Sequence, residues 1–145
     1  MGKYCFSLKP LCLLPGVFTA FFLLPILHAD AQTKPWPVPG NIKELKNPEA
    51  SNSNSVKDGK ALYTSLCAPC HGDKGKGDGP AAAALNPKPA DHSSPAMMNE
   101  SDGSIFYKIT EGRNPMPQFK ATLSDSQRWA LVCYIRTLCK APKKS

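Results

Sequence analysis

Cys67-Ala68-Pro69-Cys70-His71 is the stretch on which the reading of this 145-residue chain turns. Two thiols separated by two residues can hold a metal with two further ligands, cycle as a redox pair, or add to the two vinyl groups of a haem, with the adjacent imidazole reaching the iron from one face. A structural zinc site needs a second ligand pair at matching spacing. The other downstream cysteines, Cys133 and Cys139, stand six apart in a segment with helical periodicity, and there is no second Cys-x-x-Cys. A thioredoxin-like pair needs alternating strands and helices, and the chain has almost no β-branched runs. The motif therefore reads as covalent haem attachment, with Cys67 and Cys70 as the thioether positions, His71 as an axial ligand, and haem c with its iron as the cofactor.

Outward from the motif the segments read as short helices joined by loops. Upstream, Ser55-Val56-Lys57-Asp58 resembles a capping box, and Val56, Leu62, Tyr63 and Leu66 line one side of a helix of about three turns. Downstream, Gly72 to Gly79 carries lysines among glycines but lacks the Gly-Lys-Ser/Thr ending and preceding strand of a phosphate loop; it reads as a tight exit from the haem crevice. A middle helix is expected from Ser101 to Glu111, presenting Ile105, Phe106 and Ile109 and stopping at Gly112. Ser124 with Gln127 forms a capping box for a last helix that ends near Leu138 and turns Trp129, Val132, Cys133 and Leu138 inward. Cys133 and Cys139 are too far apart to bridge in regular helix; a frayed end at Cys139 would allow it, and otherwise Cys133 is an inert buried thiol.

Six-coordinate iron needs a ligand on the second face. Met116 is the leading candidate, since Pro115 and Pro117 flank it and are expected to hold the backbone extended, giving its thioether a fixed direction. Met97, Met98, His92 and Cys133 are the alternatives. The first two read as packing or surface residues, and His92 as a loop residue.

At the N-terminus, Lys3 and Lys9, an apolar run from Leu11 to Leu27 broken by Pro15 and Pro25, and the exit Ala29-Asp30-Ala31 read as a secretory signal over residues 1–31. Uncleaved, it would tether the same domain to a membrane. Its removal takes two basic groups and one acidic group, leaving 16 against 10 and a net charge of +6, compared with +7 for the whole chain. Residues 32–54 are Pro-rich and then polar, and form an arm or linker with Trp36 as its large anchor, either loosely ordered or packed across the domain. Residues 55–145 are the haem domain. This length leaves no room for a second domain, and 15 prolines and 10 glycines exclude a coiled coil or repeat array.

Together these residues resemble the class I monohaem cytochromes c of bacteria. Gly59-Lys60-Ala61-Leu62-Tyr63 is similar to that family's first helix, Trp129 to Leu138 to its last, and Met116-Pro117-Gln118-Phe119 to its distal methionine loop. The resemblance implies an all-α class I cytochrome c fold, with three to five short helices wrapped around one covalently bound haem behind a Pro-rich N-terminal arm. It implies that the two terminal helices cross with Gly59 against Tyr134, that the carbonyl of Pro87 or Pro89 accepts a hydrogen bond from the haem histidine, and that His71 and Met116 ligate the iron. Cys133 and His92 depart from the family pattern.

The expected function is periplasmic carriage of single electrons, Fe2+/Fe3+, without enzymatic turnover. The haem would be buried among Leu66, Leu85, Ile109, Phe119, Trp129 and Leu138. The lysine excess points to redox protein partners with acidic docking patches; neither nucleic acid nor a small-molecule substrate is expected, and a membrane only if the signal stays attached. The alternatives are an electron-transfer subunit bound to a larger oxidoreductase, with Trp36 as an interface residue, and a gas-binding cytochrome with a labile sixth ligand.

Overall fold

The computed structural model describes residues 35–50 and 52–139, which fall within one unit, Thr33–Ser145. The expected signal over 1–31 and the first residues of the arm lie outside the described residues. Among those described, the chain forms α1 (Gly40–Lys43), α2 (Ser53–Leu66), α3 (Ala68–His71), a single 3-10 turn (Ala82–Ala84), α4 (Pro95–Asn99), α5 (Asp102–Glu111) and α6 (Asp125–Leu138), with no strand. The fold is all-α, as the resemblance implies.

Local chemistry sets the helix ends. Ser101 caps α5 through the Ser104 amide, Gly112 closes it with φ 61°, and Ser124 and Gln127 form the reciprocal capping box of α6. At α2 the expectation fails by three residues: Asn52 is the cap in place of Ser55, accepting from the Asn54 amide, and the helix starts at Ser53. Ser55 does not cap because its hydroxyl is buried and donates to Glu49 Oε2 at 2.7 Å.

Helices α2 and α6 cross at Gly59. A Cβ there would lie 2.0 Å from the Ala130 carbonyl oxygen and 3.0 Å from Tyr134 Cβ, so the two backbones meet where the side chain is missing. The implied Gly59–Tyr134 contact is present, and the Ala130 carbonyl is closer still. Tyr63, Leu131 and Val132 are fully buried around this crossing, with Ile105 and Ile109 of α5 and Trp129 of α6 completing the core. Phe106 stacks on Trp129 with centroids 4.0 Å apart, joining α5 to α6.

Residues 35–50 pack on this frame. Gly103 lets the Ile42 carbonyl approach α5, where a Cβ would be 1.9 Å from that oxygen, and Asn47 Nδ2 donates to Cys133 Sγ at 3.2 Å and to the Trp129 carbonyl at 3.5 Å. Glu49 accepts from Asn52, Ser55 and Ser126, tying the arm to α2 and α6. Cys133 and Cys139 are both free thiols; Cys133 faces the arm, whereas Cys139, at the end of α6, donates to the His92 carbonyl. They do not form a disulfide.

Candidate haem site

The Cys67 amide still donates to the Tyr63 carbonyl at 2.8 Å, so α2 turns directly into α3, and the His71 amide bonds the Cys67 carbonyl at 2.8 Å. One helical turn therefore carries both thiols and the imidazole. All three line an open crevice with about 950 Å³ of free space, its mouth included, whose walls also hold Leu66, Leu85 and Phe119. Of the apolar residues expected around a haem, these three line the crevice, whereas Ile109 and Trp129 are spent in the core and Leu138 packs by Gly75.

His71 is buried, and its Nδ1 lies 3.0 Å from the Ala90 carbonyl oxygen. A carbonyl only accepts, so Nδ1 carries the proton and Nε2 keeps its lone pair. Burial pulls the imidazole pKa below its ordinary 6.5, and the Ala90 bond offsets part of that. The acceptor is neither Pro87 nor Pro89. The Pro89 carbonyl is taken up against Gly77, where a Cβ would sit 2.4 Å from its oxygen, and the next carbonyl, that of Ala90, turns to the imidazole.

His92 supports His71 without lining the crevice itself. Its ring stacks on His71 with centroids 4.1 Å apart and planes 17° from parallel, and its Nδ1 lies 3.1 Å from the Tyr63 hydroxyl. Burial first, then the neighbouring His71, pushes its pKa down to about 3, so it stays neutral. The Gly75 carbonyl accepts from the His92 amide at 2.6 Å, which shows what the glycine loop does: with Gly75 at φ 72°, it folds back over the histidine pair. From sequence, His92 is an alternative distal ligand, a loop residue and a departure from the family; its pairing with Tyr63 is long-range and leaves no local signal.

Met116 lines the crevice together with Pro115, Pro117 and Trp36. Arg113 and Met116 exchange both backbone hydrogen bonds, at 3.0 and 2.8 Å, so Asn114-Pro115 forms the tip of a tight turn with Met116 at its exit. The flanking prolines leave Met116 a free amide, and that amide closes the turn. Met97 packs against the core, Met98 is exposed, and Cys133 faces the arm; none of the three lines the crevice.

The donor set fits a covalently held haem. Burial, then the neighbouring Cys70, pushes the Cys67 thiol up to about 12, so this position favours a neutral sulfur, and a thioether is neutral. The free Nε2 of His71 suits iron, and Met116 on the same crevice offers a soft second donor.

Residues 54–135 match the family model described as cytochrome c oxidase, cbb3-type, subunit III. Among solved structures, the chain is similar to the Kuenenia stuttgartiensis reducing HAO-like protein complex Kustc0457/Kustc0458, with 29% identity and a TM-score of 0.56 over 75% of this chain and 53% of that one. It is also similar to the KustC0563 c-type cytochrome, with 29% identity and a TM-score of 0.51 over 57% of this chain and 99% of that one. The chain spans about half the length of the first of these structures.

Proposed function

This chain belongs to the family of c-type cytochrome domains whose cofactor is covalently bound haem c with its iron, and on that premise we propose that it is a periplasmic monohaem carrier of single electrons. The observation that carries the reading is the shared crevice: Cys67, Cys70 and His71 on one helical turn, with Met116 on the same lining.

When bound, the haem supplies a one-electron ferrous–ferric couple. Cys67 and Cys70 would hold it by thioether bonds, and His71 would offer Nε2 to the iron because Ala90 fixes the proton on Nδ1. Met116 would be the second donor to the iron, and its thioether would favour the reduced state. Leu66, Leu85 and Phe119 give the crevice an apolar lining, which limits the rearrangement of the surroundings as charge moves. Leu66, 41% exposed, and Lys88 both line the crevice, an apolar surface and a cation suited to a redox protein with an acidic patch. Export in place of cytoplasmic residence follows from the expected signal over 1–31, and the role is carriage without turnover of substrate.

A second reading, an electron-transfer subunit of a larger oxidoreductase, is favoured by the similarity to a chain of the HAO-like complex. Co-purification with a larger enzyme would select it.

The test is the visible spectrum of the purified holoprotein in both redox states, with and without carbon monoxide. A weak long-wavelength sulfur-to-iron band in the ferric form and a ferrous form inert to carbon monoxide are expected. A missing band with ready carbon monoxide binding would give the site to gas binding instead.

A further inference from the structure

Trp36 stands on the arm, far in sequence from every haem-site residue, yet it lines the same crevice as Met116. The connection runs through Arg113. Its guanidinium carbon lies 4.5 Å from the Trp36 ring centroid, its Nη1 donates to the Pro35 carbonyl at 3.3 Å, and its backbone exchanges both hydrogen bonds with Met116. One residue thus holds the arm with its side chain and the methionine turn with its main chain. The Lys108 ammonium, 5.9 Å from the same ring, adds a second cation at the indole.

The arm is anchored well enough to transmit this. Ile42 seats against Gly103, Asn47 bonds Cys133 and the Trp129 carbonyl, and Glu49 bonds Ser126. These contacts fix the arm on α5 and α6, which form the core, so Trp36 is presented from a rigid base. We propose that Trp36, acting through Arg113, is a positioning residue for Met116, and that the N-terminal arm thereby holds the sixth coordination position of the haem closed. The inference rests on the reading of Met116 as an axial ligand.

The test uses the holoprotein and its Trp36→Ala, Trp36→Phe and Arg113→Met variants. Two readouts are followed: the ferric sulfur-to-iron band and the rate at which carbon monoxide binds the ferrous form. Trp36→Ala weakens the band and speeds carbon monoxide binding about fivefold, the worth of one such cation–aromatic contact, while the Soret band and far-ultraviolet circular dichroism stay unchanged. Trp36→Phe restores most of the wild-type behaviour. A Trp36→Ala protein with wild-type band and rate overturns the inference and leaves the function reading intact. Should Trp36→Ala lose helix, Arg113→Met decides: the same acceleration supports the proposal, and a wild-type rate overturns it. A wild-type protein that itself lacks the band removes the Met116 reading, and the inference with it.

Discussion

The imidazoles of His71 and His92 lie face to face, 4.1 Å between centroids, and burial lowers the pKa of both. The outer ring of the pair is a spacer: it supports the ligand ring while Tyr63 holds its Nδ1. His92→Ala opens a cavity behind His71 and should cost about 2–4 kcal/mol. His92→Phe keeps the stack and gives up one hydrogen bond, so it should cost only about 1 kcal/mol. Denaturant midpoints of the two holoproteins check this, and equal losses would remove the stacking role.

Gly59 leaves no room for a side chain. A methyl group there meets the Ala130 carbonyl at 2.0 Å, with backbone on both sides, so the helices must separate. Gly59→Ala should cost roughly 3 kcal/mol or more, despite alanine's better helix propensity. Thermal unfolding of the variant tests it; an unchanged midpoint would contradict the crossing.

Met116→Ala removes the soft donor while leaving Cys67, Cys70 and His71 in place. The covalent haem should persist, the ferric long-wavelength band should vanish, and the potential should fall on the order of 100 mV, a fraction of the span that axial ligands command. Redox titration followed in the visible region measures it, and an unchanged potential would place the ligand elsewhere.

Glu49 gives the arm a pH dependence. Hydrogen bonds from Ser55, then Asn52 and Ser126, hold its carboxyl below the ordinary 4.5. A carboxyl depressed on folding stabilises fully above its unfolded value and loses that contribution as pH falls through the lower folded one. The stability gap between wild type and Glu49→Gln should therefore be open near neutral pH and close progressively below 4.5. Parallel denaturant series across that range read it directly; a gap that widens in acid would reverse the assignment.

What the sequence disclosed was local chemistry. The attachment motif, the Ser101 cap, the Ser124–Gln127 box and the stop at Gly112 each lie within a few residues, and each stands where it was expected. The start of α2 was misplaced because Ser55 looks like a cap until Glu49 is seen to claim its hydroxyl. The Ala90 acceptor is illegible for a similar reason: the resemblance implies Pro87 or Pro89, whereas the choice of carbonyl depends on where Gly77 lets the chain pass. Met116 stands out between its two prolines, but its turn does not, because the Arg113–Met116 pairing has no composition of its own. The links from Trp36 to Arg113 and from Asn47 to Cys133 join segments too distant for any periodicity to connect.

The seating of Gly59 on Ala130 also sets a timetable. The chain is made from its N-terminus, so Cys67 to His71 exist before any residue of Asp125–Leu138 has been added. Until that last helix arrives, α2 has nothing to cross and the crevice has no frame. The frame of the haem domain is thus completed only by its C-terminal helix, when that helix crosses α2 at Gly59.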